Sequence, residues 1–238
     1  MMLYEYSNKG RREENQDYVC HGSLSDDSGI YIVADGMGGY SEGAAASKVV
    51  AESIREYVES NFGKYSPADL LKEAIPFAND ALMLKRMAMA AKKMGCVITI
   101  LLISKGYAHI SWLGDSRIYL FRGGKEVYRT EDHSIINDLA KIKTLSASSI
   151  EKYASIVTKS IMGESQVDSA PIAKIKIEKG DVFILCTDGF HKEFDMSKAF
   201  SYDNTQKDHL DSYSEKISDK STDYIFQSTA SRKFMIQL

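Results

Sequence analysis

The sequence predicts an α+β sandwich with helices on the outside. Two observations carry that expectation: short β-rich runs separated by glycine-containing turns, and an element order of strands, two helices, more strands and a helix. Residues 30–34, IYIVA, form the first clear strand, expected to end at Asp35 and feed a tight glycine-rich loop, DGMGG. From Glu42 to Asn61, Ala44, Ala45, Val49, Val50, Ile54, Tyr57 and Val58 recur at helical spacing. Ser66-Pro67-Ala68-Asp69 then supplies an N-cap, a proline at the first helical position and an early acid, opening a second helix expected to run to about Lys93.

After Gly95 the texture becomes β-branched. CVITILLIS, YAHISWL and RIYLFR are separated by Lys105-Gly106 and Gly114-Asp115 and closed by Gly123-Gly124, which predicts an antiparallel meander. A polar helical segment over 134–160 follows. PIAKIKIEKGDVFILCTDG then predicts a hairpin turning at Lys179-Gly180. Beyond it a polar helix is expected over 195–221, with final strands near Tyr224–Gln227 and Lys233–Gln237.

With 238 residues and 44% hydrophobic content the chain can bury one substantial core, and no biased stretch reads as a linker, so a single domain over 1–238 is expected. Thirty basic against 33 acidic residues, a formal charge of −3, lacks the basic excess that nucleic acid or an anionic membrane calls for. The N-terminus has no basic segment followed by an apolar run, and the longest apolar run, Cys96 to Ile103, is broken by Thr99 and is too short to span a bilayer. Cys20, Cys96 and Cys186 are odd in number and embedded in apolar sequence, which suits buried free thiols in a reducing compartment. A soluble, cytoplasmic, monomeric protein is expected. The five histidines make neither HxxxH nor HExxH, so any metal must be held by oxygen.

Three aspartates sit where apolar strands meet glycine: Asp35 in VADGMGG, Asp115 in LGDSR and Asp188 in LCTDGF. Asp-Gly also makes good turns wherever it occurs, which is the plainer reading of each one alone. Together they suggest more. A strand holds its last residue rigidly, a neighbouring glycine lets a ligand approach the backbone, and gathered carboxylates repel one another unless a cation such as Mg²⁺ or Mn²⁺ neutralises them.

In order along the chain, these elements resemble those of the metal-dependent protein phosphatase 2C family. Arg12-Glu13-Glu14-Asn15-Gln16-Asp17 is similar to its R-x-x-N-Q/E-D element, and Asp35-Gly36-Met37-Gly38-Gly39 to its DGMGG. Gly43 with Ala44 to Ala46 resembles the small-residue helix that follows. Gly114-Asp115-Ser116-Arg117, Asp132-His133-Ser134 and Cys186-Thr187-Asp188-Gly189 resemble the G-D-S-R, D-H-S and C-T-D-G elements. Two departures stand out. Cys96 and Val97 follow Met94-Gly95 where the family has threonines, and the closing D-N-x-T is missing, with Asp223-Tyr224-Ile225-Phe226 its best counterpart.

The resemblance implies a four-layer α-β-β-α sandwich, two central antiparallel sheets flanked by helices, with a flap-like segment near 134–160. It implies hydrolysis of phosphoserine and phosphothreonine in protein substrates of a serine/threonine kinase, by a water activated at two Mn²⁺ or Mg²⁺ ions and without a phosphoenzyme. Asp35 would bridge the ions, the Gly36 carbonyl would complete one shell, Asp17 would act through water, and Asp188 with Asp223 would hold the other ion. Asp115 matches the aspartate used by a third, weaker ion in many bacterial members. Arg12 would grip phosphate oxygens with its planar fork. The degenerate C-terminal motif motivates a rival: a regulatory or binding protein that keeps the fold with weak or no turnover. A cysteine phosphatase is excluded by the lack of C-x5-R, since Cys186 is followed by TDGFHK.

Overall fold

The computed structural model describes residues 3–9, 12–38, 40–142, 144, 146, 150, 152–153, 156–193 and 223–229. In chain order the strands are β1 (Tyr4–Asn8), β2 (Asp17–Ser25), β3 (Ser28–Gly38), β4 (Met94–Ser104), β5 (Tyr107–Leu113), β6 (Arg117–Arg122), β7 (Lys125–Arg129), β8 (Ile172–Lys176), β9 (Val182–Cys186) and β10 (Asp223–Thr229). The helices are α1 (Tyr40–Asn61), α2 (Pro67–Ala88), α3 (Ile135–Ala140) and α4 (Asp188–Glu193). One antiparallel sheet has the order β2-β3-β4-β5-β8 and the other β1-β10-β9-β6-β7.

The period of two along β3 explains the layering. Ile30, Ile32 and Ala34 point to one side, where they join Val50, Ile54 and Val58 of α1 and Leu70, Leu71, Ala78 and Leu82 of α2 in a core under the helices. Tyr31 and Val33 point the other way and meet Ile118, Leu120, Phe183 and Leu185 of the second sheet. The α+β architecture with two antiparallel sheets is as expected. The polar helix expected over 195–221 and the strand near 233–237 lie outside the described residues.

Several local expectations change. The strand through IYIVA does not stop at Asp35: it stays paired with β4 through Asp35↔Val97, Gly36↔Cys96, Met37↔Gly95 and Gly38↔Met94. The long apolar β4 offers partners along this whole length, so DGMG is mostly ladder rather than loop. Ser66 caps α2 by accepting from the Asp69 amide at 3.2 Å, as its sequence indicates, but the helix ends at Ala88. Of the segment 134–160, only Ile135–Ala140 is an α-helix of more than two described residues.

The meander is also corrected. β5 pairs with β4, but β6 leaves for the second sheet and pairs with β7 and β9. Likewise β8 pairs with β5 while β9 pairs with β6 and β10, so Lys179-Gly180 joins the two sheets instead of closing a hairpin. The first crossover, at Gly114-Asp115, lies at the end of the second sheet where β9 leads into Asp188, whereas the second lies at the opposite end, where Asp181 meets Arg122.

Candidate active site

Asp17 and Asp35 are directly opposite one another in the β2–β3 ladder. Since side chains two apart share a face, Asp35 continues the line of Tyr31 and Val33 toward the space between the sheets. Val19 packs on that same side, which places Asp17 there too. Asp115 occupies the crossover from β5 to β6, and Asp188 opens α4 directly after β9.

The electrostatics tie these residues together. Burial first, and then the charges of Asp188 and Asp115, push the Asp35 carboxyl well above the usual carboxylate range; a hydrogen bond with the Asp17 side chain and the charge of Arg12 act the other way. Burial and the charge of Asp188 push Asp115 up to about 6. Arg12 is exposed, yet its charge reaches Asp35.

Gly36 is where the backbone comes closest. Its amide donates to the Gln16 carbonyl at 3.1 Å, the same oxygen that accepts from the Ser47 hydroxyl at 2.6 Å. A methyl group on Gly36 would overlap the Gly43 carbonyl and lie 2.6 Å from Gln16 O, so only glycine lets the start of α1 sit against β3. Met37-Gly38 continue into the wall of a groove of about 580 Å³ lined also by Lys93, Ile156, Val157, Ser160 and Met162.

Four sets of contacts tie the motif residues to their surroundings. Arg117 grips Asp132 with two 2.7 Å bonds, from Nε to Oδ1 and from Nη2 to Oδ2, tying the G-D-S-R turn to the D-H-S element. His133 Nδ1 accepts from the Gly114 amide at 3.2 Å and its ring stacks on Trp112, which makes it a structural residue. His191 Nε2 donates to the Asp115 carbonyl at 3.0 Å, because a carbonyl can only accept. Burial, then the charge of Arg117, lowers its pKa to about 4. Finally, Lys192 Nζ donates to Asp188 Oδ2 at 2.5 Å.

Among the described residues, no three carboxylate, imidazole or thiol groups converge tightly enough to form a complete ligand shell. Like charges keep bare carboxylates apart, and Asp188 is engaged by Lys192. The side chain of Asp223 lies outside the described residues. Its backbone opens β10 opposite Asn8, and the β10–β9 register, Ile225↔Cys186, carries Asp223 toward the level of Asp188. The donor set nevertheless fits a hard divalent cation: it is all oxygen, it carries excess negative charge that a cation would relieve, and Gly36 gives close access to the backbone.

The protein phosphatase 2C family model matches residues 6–221. Protein phosphatase PhpP of Streptococcus pneumoniae is 29% identical over 183 residues, covering 75% of this chain and 74% of that protein. The serine/threonine phosphatase of S. agalactiae superposes with a TM-score of 0.82 at 24% identity, over 94% of this chain and 96% of that one. The catalytic domain of the serine threonine protein phosphatase PstP, solved with 2 manganese ions, gives 0.76 at 20% identity over 98% of both chains. With the ordered acidic elements, the two-sheet fold and a family match over most of its length, this chain belongs to the protein phosphatase 2C family.

Proposed function

We propose that the chain removes phosphate from phosphoserine and phosphothreonine in protein substrates, and that it does so with Mn²⁺ or Mg²⁺. The observation that carries this reading is the Asp17↔Asp35 pair on the inter-sheet side of the β2–β3 ladder, with Asp115 and Asp188 flanking the paired ends of β6 and β9. Asp35, Asp188 and Asp223 are the proposed ligands of a two-ion core site, with the Gly36 carbonyl completing a shell and Asp17 acting through water. Asp115 is the proposed ligand of a third, weaker ion. The two manganese ions reported with PstP support two core ions in this fold. When bound, such ions supply a water activated for attack on phosphorus and offset the charge of the phosphoryl group.

The chain's own groups do the rest. Arg12, whose charge reaches Asp35, is the proposed phosphate-binding residue, its planar fork suited to two phosphate oxygens at once. Burial raises the Cys96 thiol, and all three cysteines are buried, so none offers a thiolate nucleophile. The groove beside Met37 and Val157, with Lys93 on its rim, is the proposed seat for the substrate peptide. The buried free thiols suit a reducing compartment, and we infer a cytoplasmic monomer opposing a serine/threonine kinase. No helix among the described residues is long and apolar enough to cross a membrane.

Manganese-dependent hydrolysis of a phosphothreonine peptide by the wild type and by Asp35→Asn tests the proposal. The expected result is chelator-sensitive activity that falls by at least about 10²-fold in the variant, the scale of losing one preorganised electrostatic group. Equal rates, or turnover untouched by chelator, overturn it.

A further inference from the structure

Two walls of the groove beside Met37 hang from one side chain. Arg86, in the last turn of α2, donates from Nε to the Ala91 carbonyl at 3.4 Å and from Nη2 to the Lys92 carbonyl at 3.2 Å, while Nη1 donates to the Met162 carbonyl at 3.0 Å. The first two bonds hold the turn that ends at Lys93, and the third holds the run that ends at Met162; both of those residues line the groove. Apart from single bridges at Val157 and Ile161, neither 89–93 nor 156–163 is a helix or a strand, so little ladder fixes either wall. The 89–93 turn also passes through Ala90 at φ 49°, a region that favours glycine, so its shape is imposed from outside. Asn79 supports one wall by donating to the Glu164 carbonyl at 2.7 Å, and Met162 lies on Gly95, where an added methyl would overlap its sulfur. Arg86 is the residue that reaches both walls, because its rigid fork presents several donors at once.

We infer that Arg86 is a positioning residue for the substrate: its fork sets two walls of this groove, and the groove so formed takes an apolar side chain of the phosphopeptide, two residues from the phosphorylated one. The inference rests on the proposed phosphatase reading, since the occupant is the substrate itself. The occupant's chemistry follows from the lining, in which Met37, Ile156, Val157 and Met162 are apolar and Ser160 and Lys93 are polar. Its place follows from β3. Met37 is two residues past Asp35 on the same face, about 7 Å along the strand, a distance that an extended peptide also covers in two residues. A groove whose walls are already fixed spares the peptide the cost of ordering them, so loss of the fork falls on peptide binding.

The test is steady-state hydrolysis in Mn²⁺ of three phosphothreonine peptides and of p-nitrophenyl phosphate, which has no flanking residues, by wild type, Arg86→Met and Arg86→Lys. One peptide carries leucine two residues before the phosphothreonine, one carries it two residues after, and the third has glycine at both places. Wild type should favour one of the leucine peptides over the glycine peptide by about tenfold in kcat/KM, the lower end for burying a leucine side chain. Arg86→Met should bring that preference close to one, mainly by raising KM for the favoured peptide, so that its efficiency relative to p-nitrophenyl phosphate falls by the same factor. Arg86→Lys, which keeps the charge and loses the fork, should recover little of it. A merely structural arginine would slow every substrate by one factor and leave the leucine preference intact; that result overturns the inference while the phosphatase reading stands. A wild type indifferent to leucine at both places overturns it without any variant. If wild type hydrolyses none of the four substrates in Mn²⁺, the phosphatase reading fails, and the inference with it.

Discussion

Replacing Gly36 by alanine inserts one methyl group where α1 meets β3. The added carbon would overlap the Gly43 carbonyl, with Gly43 C at 2.5 Å and Gln16 O at 2.6 Å. Every neighbour is main chain, so relief requires the start of α1 to move away from the sheet. Overpacking of this kind costs about 1–3 kcal/mol, and with backbone on both sides the upper end applies. For a chain of this size about 3 kcal/mol corresponds to a melting temperature lowered by roughly 6–12 °C. Gly43→Ala is the internal control. Its methyl would meet Gln16 Oε1 at 2.7 Å and Cδ at 2.9 Å, the end of a flexible side chain that can rotate away. Alanine also gains about 1 kcal/mol over glycine inside a helix, so Gly43→Ala should melt close to the wild type. Thermal unfolding followed by circular dichroism in chelator separates packing from metal linkage. If Gly36→Ala melts within about 2 °C of wild type, or if Gly43→Ala is equally damaging, the close approach is not what the Gly36 position requires.

Three further outcomes are expected. Asp132→Asn breaks the two-bond grip of Arg117, whose partner Asp132 is only 14% exposed, and should cost about 2 kcal/mol by urea unfolding; a loss indistinguishable from zero would make it an ordinary surface pair. His191 is held neutral with its pKa lowered to about 4, so below pH 6.5 the unfolded chain takes up a proton that the folded chain refuses. Its contribution to stability is therefore present above 6.5 and lost as pH falls toward 4, by at most about 3 kcal/mol; His191→Gln, which can keep the bond to the Asp115 carbonyl, should show a correspondingly flatter pH dependence, and an unchanged one refutes the assignment. Asp115 works in the opposite direction: with its pKa raised to about 6, metal-free stability should decline as pH rises from about 4 to 6, and Asp115→Asn should remove that part of the decline.

The three candidate aspartates were readable because an aspartate beside a glycine after an apolar run is a local signal, and Asp35, Asp115 and Asp188 all carry it. Their convergence was not, because it depends on sheet pairing. Gly114-Asp115 and Lys179-Gly180 look like hairpin turns, and nothing local says whether the next strand folds back or crosses to another sheet. The strand through DGMG was cut short for a related reason: Gly36 reads as a turn, whereas it serves the approach of α1. β1 and β2 were missed because neither segment carries a strong alternating apolar pattern, although β2 positions Asp17. The Arg117–Asp132 and Lys192–Asp188 contacts are choices among many charged residues, and a solvated charge is the usual fate of each.

A crystal grown with Mn²⁺ and measured at the manganese absorption edge addresses the metal site most directly. Anomalous peaks should lie against the Asp35 carboxylate, with Asp188 and Asp223 completing the shell. Saturated crystals with no peak at Asp35, or with manganese bound only elsewhere on the surface, would contradict a metal-dependent phosphatase site between the two sheets.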